Sequence, residues 1–190
     1  MVAPAFFAAG YPGAVLTVIG LMALGMAFVW RAAYLVSGSA AGAWVGWLAV
    51  ATAVPVVLHG FTIYPDPIGS VVAMAAVLAL VRLEVTPQAA WGVGRWAALG
   101  AALATLPWLH TRFAVLAGVL GALLAWRLLR RPGGWRATAA LLLAPALAAA
   151  GWFAYFWIIY GTLSPAAPYG RRFESGLEWV PQGIAGLLMD

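Results

Sequence analysis

The sequence predicts an all-α fold, a polytopic bundle of transmembrane helices. Hydrophobic residues make up 65% of the 190 residues and charged residues only 8%, and the mean hydropathy is +0.98. Soluble domains carry roughly three times that share of charge. Apolar stretches of about 17 to 25 residues, long enough to cross a hydrocarbon core of roughly 30 Å, recur along the chain. This composition excludes a soluble globular domain.

About six spans follow in order, two of them short. The first stops near Arg31, before the turn Ser37-Gly38-Ser39, and the second ends at an interruption over residues 59–67. Two prolines in that interruption each remove a backbone donor, so the segment needs water or protein around it. We predict one partial membrane domain over residues 1–190. Its spans are about 13–30, 40–58, 68–81, 96–107, 113–126 and 137–160, with an outer tail over 161–190.

The two short helices come from an apolar region, 96–126, that is too long for one crossing. Pro107, His110 and Arg112 lie in its middle, where a lipid-facing helix tolerates neither a helix breaker nor a charge. The sequence therefore predicts two short helices that meet at a polar elbow.

Arginines predict which side of the membrane each loop occupies. The densest basic loop surrounds Pro132-Gly133-Gly134 and is expected to be cytoplasmic. Alternation along the chain then places seven arginines inside, and it places both polar interruptions and the tail on the outer face. All ten basic residues are Arg, and Ala, Gly, Trp and Pro are abundant, which suggests a GC-rich bacterial genome. We expect a multi-pass protein of the bacterial cytoplasmic membrane.

Several function classes have no support in the residues. The net charge of +5 comes from scattered arginines that flank apolar runs, so no nucleic-acid partner is expected. Without cysteine there is no disulfide or thiolate chemistry. The first residues lack the basic region of a cleavable signal peptide. Membrane lipids are the expected surroundings, and the oligomeric state is open.

Five residues at the two outer interruptions are candidates for substrate or metal binding. Arg binds phosphate oxygens bidentately, His can donate or accept a proton, and a carboxylate can hold a divalent ion. The alternative is a solvated turn for the acid and an interfacial position for each histidine. No short histidine pair supports zinc. The candidates are His59, Tyr64, Asp66, His110 and Arg112.

Arg171 and Arg172 in the tail are a further candidate pair, placed to contact a lipid phosphate. Their alternative role is to anchor the last helix at the headgroup level.

The order of features resembles part of the membrane domain of the GT-C glycosyltransferases, which take sugars from polyprenyl-phosphate donors. Four stretches carry the resemblance, which extends over roughly residues 10–190. They are the arginine-ended helix with its small-residue loop (30–41), the helix leading to the Tyr-Pro-Asp turn (59–70), the glycine-rich helix with its elbow (100–113) and the exit of a later span (153–170).

The resemblance implies roles for the outer residues. Asp66 matches the acidic residue of the family's second outer loop, which binds a divalent cation such as Mg²⁺ or Mn²⁺ or orients substrate. His110 and Arg112 match the elbow that holds the donor phosphate. The family's catalytic base, a carboxylate in the first outer loop, has no counterpart, because residues 1–13 contain neither Asp nor Glu. We therefore assign no catalytic residue and expect the chain to be a fragment.

Two other functions are weighed against a glycosyltransferase. Transporters and lipid flippases place ionisable groups near the bilayer midplane, whereas the charges here lie at span ends, which favours the transferase. The short length also leaves open a small structural membrane protein without catalysis.

Overall fold

The structure is a computed structural model that describes residues 2–86, 91–165 and 167. These residues form seven α-helices and no strand, which confirms the predicted all-α fold. The helices are α1 Ala3–Ser37, α2 Ala40–Ala51, α3 Val54–His59, α4 Pro65–Val85, α5 Val93–Leu109, α6 Phe113–Leu129 and α7 Trp135–Tyr160.

The first helix is longer than the predicted span 13–30 at both ends. The predicted span leaves out the residues before position 13, which a kink separates from the rest of the helix. Ala9 and Gly10 leave helical geometry, and Gly10 has a φ of +62°, a conformation that glycine adopts without steric cost. Pro12 follows the kink, and the helix then continues to Ser37.

The second predicted span, 40–58, is wrong as a single helix. It is divided into α2 and α3 at Thr52 and Ala53. Pro55 lies in the first turn of α3, where its missing N–H costs nothing, whereas it would break a continuous helix. The 12 residues of α2 are about 18 Å long at 1.5 Å per residue, too short to cross a bilayer core.

The later helices agree with the predicted order and extend the predicted bounds by a few residues. Span 68–81 becomes α4, and the apolar region 96–126 is indeed divided between α5 and α6. Residues 110–112 form the turn between them, at the predicted elbow.

The chain separates into two compact units, Met1–Ala149 and a second that begins at Ala150; the prediction of one partial domain over 1–190 stays a prediction. In the first unit, α4 packs against α1, α5 and α6. A leucine-rich core joins α4, α5 and α6, and a smaller one joins α1 to α4. Leu103, Leu106, Leu124, Leu141 and Val18 are among the fully buried side chains. In the second unit, Trp152 and Phe156 pack edge to face, with ring centroids 4.9 Å apart.

By length and composition, α1, α4 and α7 are able to cross a membrane, and α2 and α6 are shorter apolar helices. Large apolar side chains face outward along these helices, including Leu16, Val45, Val115 and Leu147. Such extensive outward apolar surface is costly in water and favourable in lipid. The chain is therefore a membrane protein.

Candidate substrate site

Asp66 lies where α4 begins. Tyr64 is in an extended conformation just before the helix, and Pro65 starts the first turn with φ already fixed for a helix. Asp66 is the acidic residue of that turn, where a carboxylate interacts favourably with the helix dipole. His59 ends α3 on the other side of the turn. Its ring packs edge to face against the ring of Tyr64, with the ring centroids 6.2 Å apart.

Arg112 lies in the elbow between α5 and α6. Its backbone N–H donates to His110 Nδ1 at 3.3 Å, and its guanidinium carbon lies 5.3 Å from the centre of the Phe113 ring. Phe113 in turn packs against α4 at Gly69, where a Cβ atom would lie only 2.9 Å from Cε2 of the ring. The missing side chain at Gly69 therefore brings the elbow close to the start of α4.

An ion pair joins these two regions. Arg112 Nη2 donates to Asp66 Oδ1 across 46 residues of sequence. The side chains stay partly exposed, 57% for Arg112 and 38% for Asp66, so both remain accessible to a ligand. Residues from the two predicted outer interruptions are therefore brought together at one end of the first unit.

A cavity of about 440 Å³ lies beside this ion pair. His59 and Asp66 both line it, and its walls come from α1, α3, α4 and α6. Tyr64, His110 and Arg112 do not line the cavity; they contact the residues around it. Its other walls are formed by Met22, Pro55, Val56, Pro67, Gly69, Ser70, Ala73, Phe113 and Leu116.

Ser70 is a polar residue of this cavity that sequence reasoning missed. Its hydroxyl donates to the Pro67 carbonyl at 2.8 Å and approaches Met22 Sδ at 3.6 Å. A serine inside an apolar span ordinarily bonds back to its own helix, as Ser70 does, and nothing in the sequence separates it from that common case.

A second cavity, of about 570 Å³, lies between α1, α2 and α4. Its walls are almost wholly apolar side chains, such as Phe28, Val36 and Val77. Ser70 and Ala73 belong to the walls of both cavities. The cavity lined by the Asp66 carboxylate and the His59 imidazole thus adjoins an apolar cavity that suits a hydrocarbon chain.

The residues around Asp66 fit a divalent cation only in part. Within the described residues no group of three or more His, Asp or Glu is placed to hold a metal ion. Mg²⁺ is commonly bound through one or two protein carboxylates, with water and substrate phosphate oxygens as the remaining ligands. Asp66 supplies one such carboxylate, and the predicted cation stays a prediction. Arg171 and Arg172, the predicted phosphate contacts of the tail, lie outside the described residues.

The fold and the site together define a helical membrane protein with an arginine–carboxylate pair and a partly polar cavity at one end of its first unit. No protein-family model matches the chain, and no curated protein or solved structure matches it significantly. The resemblance to the GT-C glycosyltransferases therefore stays a prediction.

Proposed function

We propose that the chain is part of an integral membrane glycosyltransferase that moves a sugar from a polyprenyl-phosphate donor to a lipid, glycan or protein acceptor at the outer face. The main support is the pair of adjoining cavities. A lipid-linked sugar has a polar sugar and a charged phosphate at one end of a long hydrocarbon chain. The partly polar cavity, with Arg112 at its edge, would take the sugar and phosphate, and the adjoining apolar cavity would take the hydrocarbon. Ser70 and Ala73 mark their shared wall.

Arg112 is the residue we expect to bind the donor phosphate. Its guanidinium is exposed, always charged and shaped for bidentate contact with phosphate oxygens. Asp66 orients it through the ion pair. His59 lines the cavity and supplies a further hydrogen bond to the phosphate or sugar. If the donor phosphate replaced the Asp66 carboxylate as the partner of Arg112, the guanidinium charge would still be neutralised.

Transfer breaks the bond between the sugar's anomeric carbon and the phosphate oxygen, and that oxygen leaves with the electron pair. The acceptor hydroxyl forms the new bond and gives up its proton to a base. Arg112 would stabilise the charge that develops on the leaving phosphate. A divalent cation held at Asp66 would supply the same stabilisation. No residue of this chain is proposed as the base.

The test measures consumption of a radiolabelled pool of polyprenyl-phosphate hexoses and pentoses in proteoliposomes by the longer protein of which we propose that this chain is part. Asp66→Asn and Arg112→Gln should each lower it by at least about tenfold, the loss expected for one charged contact to a transition state. Glu84→Gln is the matched control, because Glu84 pairs with Arg127 at 3.1 Å at the other end of α4. Equal turnover in Asp66→Asn and Glu84→Gln would show that Asp66 has only a structural role in the turn.

A lipid flippase is the second candidate, since a polar cavity beside an apolar one would also suit a lipid that moves headgroup first. The same vesicles separate the two functions. A transferase releases polyprenyl phosphate without sugar, whereas a flippase moves the intact sugar lipid to the other leaflet. If neither product forms, a small structural membrane protein without catalysis becomes the better-supported hypothesis.

A further inference from the structure

A second polar cluster lies at the opposite end of α4, away from Asp66. Arg82 is in the last turn of α4, and its guanidinium carbon lies 5.9 Å from the centre of the Trp91 ring. Trp91 precedes α5 and packs against Trp96 in α5, with ring centroids 5.0 Å apart. This cluster of Arg82, Trp91 and Trp96 is named the arginine–tryptophan notch below.

The notch contains two buried donors without an acceptor. Within the described part of the chain, neither Arg82 Nε nor Trp91 Nε1 has a hydrogen-bond partner, and both atoms are shielded from solvent. A buried donor left unpaired costs about 1–3 kcal/mol, and more when it is charged. Because both residues line the same small gap, the unpaired donors indicate that an acceptor belongs there.

The space beside these donors suits an atom of oxygen size. Arg82 and Trp91 line a gap of about 10 Å³ whose other walls are Ala79, Leu83 and Trp96. That is about the room one water-sized probe needs. Water would bring two hydrogens of its own, yet the side chains of Ala79, Leu83 and Trp96 accept no hydrogen bonds. An anionic oxygen carries no hydrogen and can accept from more than one donor, so it needs no acceptor of its own in the gap.

The charge around the notch is also positive. Arg127, Arg130 and Arg131 lie at the end of α6, and Arg131 donates to the backbone carbonyl of Leu83. Glu84 pairs with Arg127, which leaves Arg82 without a carboxylate partner among the described residues. An anion placed here would therefore meet an excess of positive charge.

We propose that this notch binds the phosphate group of an anionic phospholipid. One phosphate oxygen accepts hydrogen bonds from Arg82 Nε and Trp91 Nε1, and the neighbouring arginines of α6 attract the negative charge. A lipid headgroup fits better than soluble phosphate, because α4 is long enough to span a membrane and ends here. Arginine and tryptophan are the residues that settle at headgroup level. This site is independent of the proposed glycosyltransferase activity.

Native mass spectrometry of the full chain tests the proposal by comparing retention of phosphatidylglycerol and phosphatidylcholine. Phosphatidylcholine has the same phosphate, but the arginines repel its choline cation, so it should bind more weakly to the wild-type chain. Arg82→Gln should weaken phosphatidylglycerol binding by about tenfold, which corresponds to about 1.4 kcal/mol, and phosphatidylcholine binding by less. Arg136→Gln is the matched control, because Arg136 is exposed and packs on Trp135 outside the notch. It should change phosphatidylglycerol binding less than Arg82→Gln does.

Trp91→Phe provides a second variant that keeps an aromatic ring and removes only the Nε1 donor. It should also weaken phosphatidylglycerol binding, and it keeps the proposal testable if Arg82→Gln does not fold. Equal losses in Arg82→Gln and Arg136→Gln would show unspecific charge attraction and overturn the site. Excess inorganic phosphate that displaces phosphatidylglycerol from the wild-type chain, but not from Arg82→Gln, would overturn the lipid as its ligand.

Discussion

Arg112 and Asp66 form an ion pair that links the elbow between α5 and α6 to the first turn of α4. Both side chains are more than a third exposed. Exposed ion pairs contribute little to stability, about 0–1 kcal/mol, because water and salt screen them. The Arg112–Asp66 pair therefore contributes little to the stability of the fold. Its main effect is to hold the Arg112 guanidinium beside the cavity.

A double-mutant cycle separates these two roles. Asp66→Asn and Arg112→Gln, alone and together, should each lower the free energy of unfolding by less than about 1 kcal/mol. The coupling energy between them should be equally small. Unfolding in mixed micelles of increasing denaturing detergent measures both quantities. Glu84→Gln and Arg127→Gln supply the same cycle at the opposite end of α4. A coupling energy above about 2 kcal/mol would identify a mainly structural pair.

Ala73→Leu should obstruct the boundary between the two cavities. Ala73 lines both of them, and a leucine there adds three carbons to their shared wall. We expect KM to rise by about tenfold for a donor with a full-length polyprenyl chain, equal to about 1.4 kcal/mol of lost binding. A donor with a short chain should be affected much less. Ala101→Leu, on an exposed face of α5, is the control. Equal effects on both donors would show that the apolar cavity does not bind the lipid chain.

The sequence predicted the helical class because composition and span length decide it together. It also predicted that Asp66 and Arg112 lie at the same end, since alternating spans and the arginine distribution place both interruptions on one face. The residue pairing itself was not predictable. It depends on how closely the elbow approaches α4, which Gly69 permits by making room for Phe113. No local pattern encodes such a contact across 46 residues.

The misplaced boundaries have local causes. Hydropathy alone does not distinguish α2 and α3 from one continuous span, because the residues at the break, Thr52 and Ala53, are not strongly polar. Pro55 was the signal for that break. The kink at Gly10 likewise hid the helical residues before it. The notch at Arg82 was not foreseen either, since it depends on how Trp91 packs against Arg82 and Trp96.

Gly100→Ala should destabilise the first unit. A Cβ atom at Gly100 would overlap the backbone carbonyl of Leu141, so α5 and the first part of α7 touch there without a side chain between them. Backbone cannot rotate aside as a side chain does, and overpacking of this kind costs about 1–3 kcal/mol. The same unfolding measurement in mixed micelles reports it. Gly118→Ala in α6 is the control, because its Cβ would meet nothing within 4 Å. A neutral Gly100→Ala would mean that the two helices separate readily.

The orientation predicted from the arginines can be tested with single cysteines, since the chain has none of its own. Ile63→Cys lies between α3 and α4 beside the candidate site, and Pro132→Cys lies in the basic loop before α7. A membrane-impermeant maleimide should label Cys at position 63 in intact cells and Cys at position 132 only after permeabilisation, because positive loops are retained inside. Wild-type protein controls for background labelling. The reverse pattern would place the Asp66 cavity on the cytoplasmic side, where a glycosyltransferase using lipid-linked sugars at the outer face has no access to its donor.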